Sequence, residues 1–217
     1  MTAMNRMESL LSSKRLEKYN GSAELYFYNI RLCESFYPAL NCLEIILRNR
    51  VDAVLSKHIG DDWIFRPEYH IGKNQNNYSN AISNLKRQGR DIANKNHIIS
   101  ELSFGFWSWL FSDDYVPLIW DKCNGALADI FPHHRGTLTQ NKAFSELNDV
   151  REYRNRIFHY GSLAVCRAGQ MQCHTAHYLI YALIKDIDKG VLIKELRRID
   201  RFRDIFAKGR IAGFIKL

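Results

Sequence analysis

Proline and glycine are scarce in this chain, at 4 and 12 of 217 residues, so no Pro/Gly-rich linker or low-complexity coil divides it. Sustained alternation of apolar and polar residues is missing as well, which excludes a strand-built architecture. Apolar positions recur at three- and four-residue spacing instead. Nor is there an apolar run of membrane-spanning length. Residues 178–184 fall far short of the roughly 20 that a bilayer requires, and charges interrupt the segment up to Tyr19 where a signal peptide would need an apolar run. The 5 cysteines (Cys33, Cys42, Cys123, Cys166 and Cys173) are odd in number and form no close pairs, which speaks for reduced thiols rather than a disulfide framework. These absences leave a soluble, cytoplasmic, all-helical protein with no membrane partner. Hydrophobic residues, at 46%, suffice for one core in a single domain over residues 1–217.

What the chain has in excess is positive charge. Lysine and arginine number 31 against 23 acidic residues, and the resulting +8 favours a polyanionic partner through phosphate neutralisation and counterion release. Five of those eight charges come from residues 194–216, where Lys194, Arg197, Arg198, Arg201, Arg203, Lys208, Arg210 and Lys216 face only Glu195, Asp200 and Asp204. The plain alternative for that run is a solvated helix face.

The periodicity predicts helices over residues 4–18 and, after the Asn20-Gly21-Ser22 break and cap, 23–58, with Pro38 kinking or dividing the second. Residues 66–77 read as loop, followed by short helices over 78–87 and 96–101. The aromatic block 102–111 is expected to fill core or interface. Longer helices follow over 138–160, stopped by Gly161, and over 163–189, capped by Ser162 and stopped by Gly190. The last, over 191–208, is basic outside a stripe of Leu192, Leu196, Ile199, Phe202 and Phe206.

On the helix predicted over 138–160, Phe144, Leu147, Val150, Ile157 and Phe158 mark the buried stripe, and at about 100° per residue Arg154 falls within it. A guanidinium there needs a carboxylate, or a cleft shared with solvent, substrate or a second subunit, because burying it unpaired is costly. His159 lies about 140° around the helix from Arg154, whereas Asn155 is about 40° from His159 and in place to orient the imidazole. For Arg154 and His159 to meet one substrate, either the helix end distorts or two copies of the helix meet across a twofold axis, the second being preferred. The pair suits metal-free RNA cleavage. That reaction needs a base for the 2′-hydroxyl proton, an acid for the leaving 5′-oxygen and a cation for charge building on phosphorus. Cys166, Cys173, His174 and His177 invite a zinc reading, but their spacing fits no standard finger, and no metal or other cofactor is expected.

The run from Glu152 to His159 contains Arg-Asn-x-x-x-His, a form of the Arg-x(4–6)-His motif of HEPN ribonucleases. Leu43-Glu44-Ile45-Ile46-Leu47-Arg48-Asn49 resembles the Glu-x-x-x-Arg-Asn segment of the Abi-like (abortive-infection) proteins, and Ser103-Phe104-Gly105-Phe106-Trp107 is similar to their Ser-Phe-Gly-x-Trp block. The three segments cover residues 25–165 in the expected order. The resemblance implies a HEPN-like bundle over residues 23–189 with long central helices, dimerising through the motif helices, and a basic helix over 191–208 as an individual addition. It also implies a metal-independent endoribonuclease acting in phage defence or as a growth-arresting toxin. RNA would be its partner, with an antitoxin or a phage-derived trigger as a further one. On these positions Arg154 and His159 are catalytic and Asn155 orients, while Glu44, Arg48 and Asn49 support the pocket and Tyr160 stacks on a base or bonds phosphate. Glu44 and Arg48, one turn apart, are expected to pair.

Two other readings stay open at this point. One is a non-catalytic nucleic-acid-binding module built on the basic last helix and the aromatic block. The other is an interaction protein that senses a phage component through residues 104–111.

Overall fold

The structure, a computed structural model, describes residues 3–166 and 169–215, and no strand occurs among them. Eleven α-helices do: α1 (Ala3–Leu11), α2 (Ser13–Glu17), α3 (Ala23–His58), α4 (Gly72–Arg87), α5 (Lys95–Glu101), α6 (Phe104–Trp109), α7 (Ala126–Ile130), α8 (Gln140–Phe158), α9 (Cys173–Ile187), α10 (Val191–Ile199) and α11 (Phe202–Ile211). No helix among the described residues is long and apolar enough to cross a membrane.

The fold is organised around α3, whose 36 residues extend roughly 54 Å. Ser22 starts it, its hydroxyl accepting the Leu25 N–H at 3.0 Å. Pro38 lies inside the helix and does not divide it. The missing N–H and ring crowding cost about 3 kcal/mol, which packing offsets, because Phe36, Ala39, Leu40 and Leu43 on either side are buried. Helices α6, α7, α9, α10 and α11 all pack on α3, and α8 lies against α6 and α9.

The aromatic block is core. Phe104, Phe106, Trp107, Leu110 and Phe111 are buried, and Trp107 meets Trp63 edge-on at 6.3 Å. Residues 104–111 therefore offer no continuous sensing surface, and only Gly105 and Trp109 are partly exposed. The segment 66–77, expected to be loop, instead starts α4 at Gly72. Buried Asn74 donates to the Phe106 carbonyl at 3.1 Å, and Tyr78 stacks on His70 at 3.6 Å. A polar-rich stretch hid a helix anchored by one buried amide.

Three other expected elements change. The opening helix divides at Ser12, whose hydroxyl caps α2 at Arg15. The helix expected from residue 163 begins only at Cys173, and Ser162 instead closes a local turn by accepting the Val165 N–H at 3.0 Å. Arg167 and Ala168, within that expected helix, lie outside the described residues, as does Lys216. The final basic helix breaks at Asp200, which is extended and accepts the Phe202 N–H on Oδ1 at 2.8 Å. The resulting elbow buries Leu196 and Phe202 together and leaves Ile199 exposed, off the stripe to which its spacing assigned it. Phe202 packs against Phe36 and stacks on His177 at 4.1 Å, and α11 runs so close to Tyr28 that a side chain at Gly209 would collide with the phenol.

Candidate active site

Helix α8 carries the Arg-Asn-x-x-x-His run. Thr139 caps it, accepting the Lys142 N–H at 3.2 Å, and Ala143, Leu147, Val150 and Tyr153 form the face it buries. Arg154 stands at the edge of that face rather than in its centre, and Phe158, expected to be buried, is 44% exposed. The Arg154 side chain is 29% exposed, with Nη2 3.8 Å from Oε2 of Glu44 on α3 and Cζ 4.4 Å from the centre of the Phe158 ring. At 3.8 Å the carboxylate balances the charge without accepting a hydrogen bond. Arg154 Nε is buried and has no hydrogen-bond partner among the described residues.

The expected ion pair between Glu44 and Arg48 does not occur. Glu44 turns to Arg154, and Arg48 Nε donates to Asn49 Oδ1 at 3.1 Å. Arg48 and Arg154 are both partly buried, and the carboxylate meets the one arriving from α8. One side-chain pair thus links the Glu-x-x-x-Arg-Asn segment of α3 to the Arg-Asn-x-x-x-His segment of α8.

His159 is exposed and ends α8, with φ −96° and ψ 22°, outside helical geometry. That backbone is the helix's C-cap, and no hydrogen bond joins the imidazole to Arg154 among the described residues. From Asn155, its main-chain carbonyl reaches His159, accepting the N–H at 2.9 Å, while the Asn155 side chain makes no hydrogen bond to the imidazole among the described residues. The left-handed residue that stops the helix is Tyr160, at φ +59°, rather than Gly161. Tyr160 N–H returns to Ile157 O at 3.1 Å and Gly161 N–H to Arg156 O at 2.7 Å, a Schellman closure. Gly161 is needed for a different reason: a Cβ there would come 2.7 Å from the Arg156 carbonyl oxygen.

This turn is fastened from outside by two residues that the sequence did not single out. Arg15 of α2 donates from Nη2 to the Tyr160 carbonyl at 2.6 Å. Asn29 of α3, buried, accepts the amides of Leu163 and Ala164 at 2.6 and 3.1 Å and donates to the Gly161 carbonyl at 3.3 Å. The signal for Asn29 was legible: an amide on the same stripe of α3 as Leu25, Leu32 and Phe36, where only a satisfied polar group persists. An exposed imidazole is thereby held on a pinned main chain.

Beside the turn lies an apolar groove of about 510 Å³, lined by Tyr26, Ile30 and Tyr37 of α3 and by Ile157, Phe158 and Tyr160. Burial pushes the Cys33 thiol in its wall up to about 11, which leaves no thiolate nucleophile at neutral pH. The zinc reading finds no support in the arrangement: His177 Nε2 donates to Asp200 Oδ2 at 2.9 Å, and among the described residues no three metal-capable side chains converge. The chain matches no protein-family model, no curated protein and no solved structure.

Proposed function

We propose that the protein is a metal-independent endoribonuclease of the HEPN/Abi-like type, working as a homodimer in growth arrest or phage defence. The observation that carries this reading is the meeting of Glu44 and Arg154, which joins two distant motif segments, one of them ending at an exposed His159. Arg154, neutralised in charge but holding unused donors, suits a phosphate whose negative charge rises in the transition state. His159, on a pinned and solvent-open turn, suits proton transfer.

In this reaction the 2′-oxygen of a ribose attacks the adjacent phosphorus, the P–O5′ bond breaks, and the products end in a 2′,3′-cyclic phosphate and a 5′-hydroxyl. One imidazole takes the 2′-hydroxyl proton and a second protonates the departing 5′-oxygen, which the two His159 residues of a dimer supply. The exposed side chains of Phe158 and Tyr160, with Ile30, Tyr37 and Ile45 on α3, provide apolar surface for such an association beside the motif. Burial of residues 104–111 weakens the sensing reading, which needed that block at the surface.

The test is cleavage of total RNA by purified protein with chelator present. His159→Ala and Arg154→Ala should each abolish cleavage and growth toxicity while the helical circular-dichroism spectrum is retained, and the parent's products should carry cyclic phosphate ends. Undiminished toxicity of His159→Ala, or a strict metal requirement, would overturn the proposal.

A further inference from the structure

Away from the motif residues, a second cleft opens between α9 and the α10–α11 elbow. It measures about 570 Å³, and its walls include Tyr178, Tyr181 and Lys185 of α9, Arg197 of α10 and Arg203 of α11. It shares no lining residue with the apolar groove beside His159. Tyr178, Tyr181 and Lys185 stand three and four residues apart and so line one face of α9.

The charges in the cleft are unbalanced. Lys185, Arg197 and Arg203 form no ion pair or hydrogen bond among the described residues, although neighbouring Arg198, outside the cleft, is held by both oxygens of Glu195 at 2.8 and 2.9 Å. Asp200 is the one acid in the lining, and it is already engaged on both oxygens: Oδ2 with His177 and Oδ1 with the Phe202 amide. None of the three cations lies within ion-pair distance of it among the described residues. Above them Tyr178 is 74% exposed, a large aromatic face with no ring partner among the described residues. Two unpaired guanidinium forks and an ammonium suit phosphate oxygens, an unpartnered ring suits the face of a base, and the volume lies within the range of small-ligand sites.

We infer that this cleft binds a nucleotide unit, with the phosphate on Lys185, Arg197 and Arg203 and the base stacked on Tyr178. The same chemistry serves one residue of a single-stranded RNA or a free mononucleotide. The site goes beyond the cleavage reading and does not depend on it, because it would hold its ligand in a protein that cuts nothing.

The experiment uses the full chain carrying His159→Ala and two probes: a fluorescent 2′-O-methyl RNA hexamer, which cannot be cut by 2′-hydroxyl attack, and AMP as competitor. Arg197, Arg203 and Tyr178 are exposed, so their substitution leaves the core intact. Arg197→Ala/Arg203→Ala should weaken hexamer binding at least tenfold and lower the salt slope by about 1.4, and Tyr178→Ala should weaken it about fivefold or more. Displacement of the hexamer by AMP, lost in the same variants, assigns the site to free nucleotides; no displacement assigns it to the strand. Unchanged binding of both probes by Arg197→Ala/Arg203→Ala would overturn the inference, as would unchanged binding by Tyr178→Ala. Cleavage by the parent chain is scored separately, so either proposal can fail alone.

Discussion

Two carboxylates on α3, Glu44 and Asp52, each meet a cation from another element, and they do so in opposite ways. Asp52 Oδ1 accepts the buried Trp63 indole N–H at 2.8 Å and lies 3.0 Å from Lys95 Nζ, which also donates to Ser56 and Asp61 at 2.6 Å. Glu44 reaches Arg154 only at 3.8 Å, with a buried guanidinium nitrogen left over. Both pairs are partly buried, so burial alone does not separate them. The number of unused donors does: a cluster whose donors are engaged, as the Trp63 indole and the Lys95 ammonium are, holds helices together, whereas one with donors to spare keeps them for something that binds.

The largest test of that contrast is Asp52→Ala, which strips the Trp63 indole of its acceptor. It should cost about 2–3 kcal/mol and lower the melting temperature by roughly 5–10 °C, while Asp52→Asn, which keeps an acceptor, recovers most of the loss. Thermal denaturation of the three proteins decides it, and an Asp52→Ala variant melting with the parent would remove the clasp from the comparison.

Next in size is a third acid, Asp200, engaged like Asp52. Burial pushes its carboxyl up, but the hydrogen bond from His177 and the Phe202 amide prevail and hold it at about 2, against 3.8 unperturbed. A carboxyl whose folded value is depressed adds stability that is present above about pH 4 and lost as pH falls towards 2. The amount is roughly 2 kcal/mol. Urea unfolding between pH 5 and 2 should show a shallower acid decline for Asp200→Asn than for the parent; superimposable declines would mean that the carboxylate contributes nothing.

The smallest effect on stability belongs to Glu44→Gln, under about 1 kcal/mol, because the pair is loose and its two side chains are each close to a third exposed. Cleavage should nonetheless fall about tenfold as Arg154 loses its restraint. A Glu44→Gln protein as destabilised as Asp52→Ala, yet cutting normally, would place both carboxylates in one structural class.

Local rules located the motif segments and most of the helices that carry them, but they misplaced four element boundaries. In each case a side chain supplied what the main chain needed from elsewhere. Asn29 accepts the Leu163 and Ala164 amides and holds residues there out of helix, and Asp200 accepts the Phe202 amide and bends the basic tail. Asn74 and Ser12 act likewise at α4 and α2. The Asn29 and Asn74 contacts join residues far apart in the chain and have no period to detect. The preference for Glu44–Arg48 failed for a related reason: spacing ranks neighbours on one helix and is blind to a charge arriving from another.

By itself the sequence determined the helical class, the positions of Glu44, Arg154 and His159 on their helices, and a basic C-terminal region, because periodicity and composition are properties of consecutive residues. Only the tertiary structure decided that Glu44 faces Arg154, that Tyr160 takes the left-handed turn, and that Arg197 and Arg203 flank one cleft. Those outcomes depend on how separate elements pack, which no local spacing records.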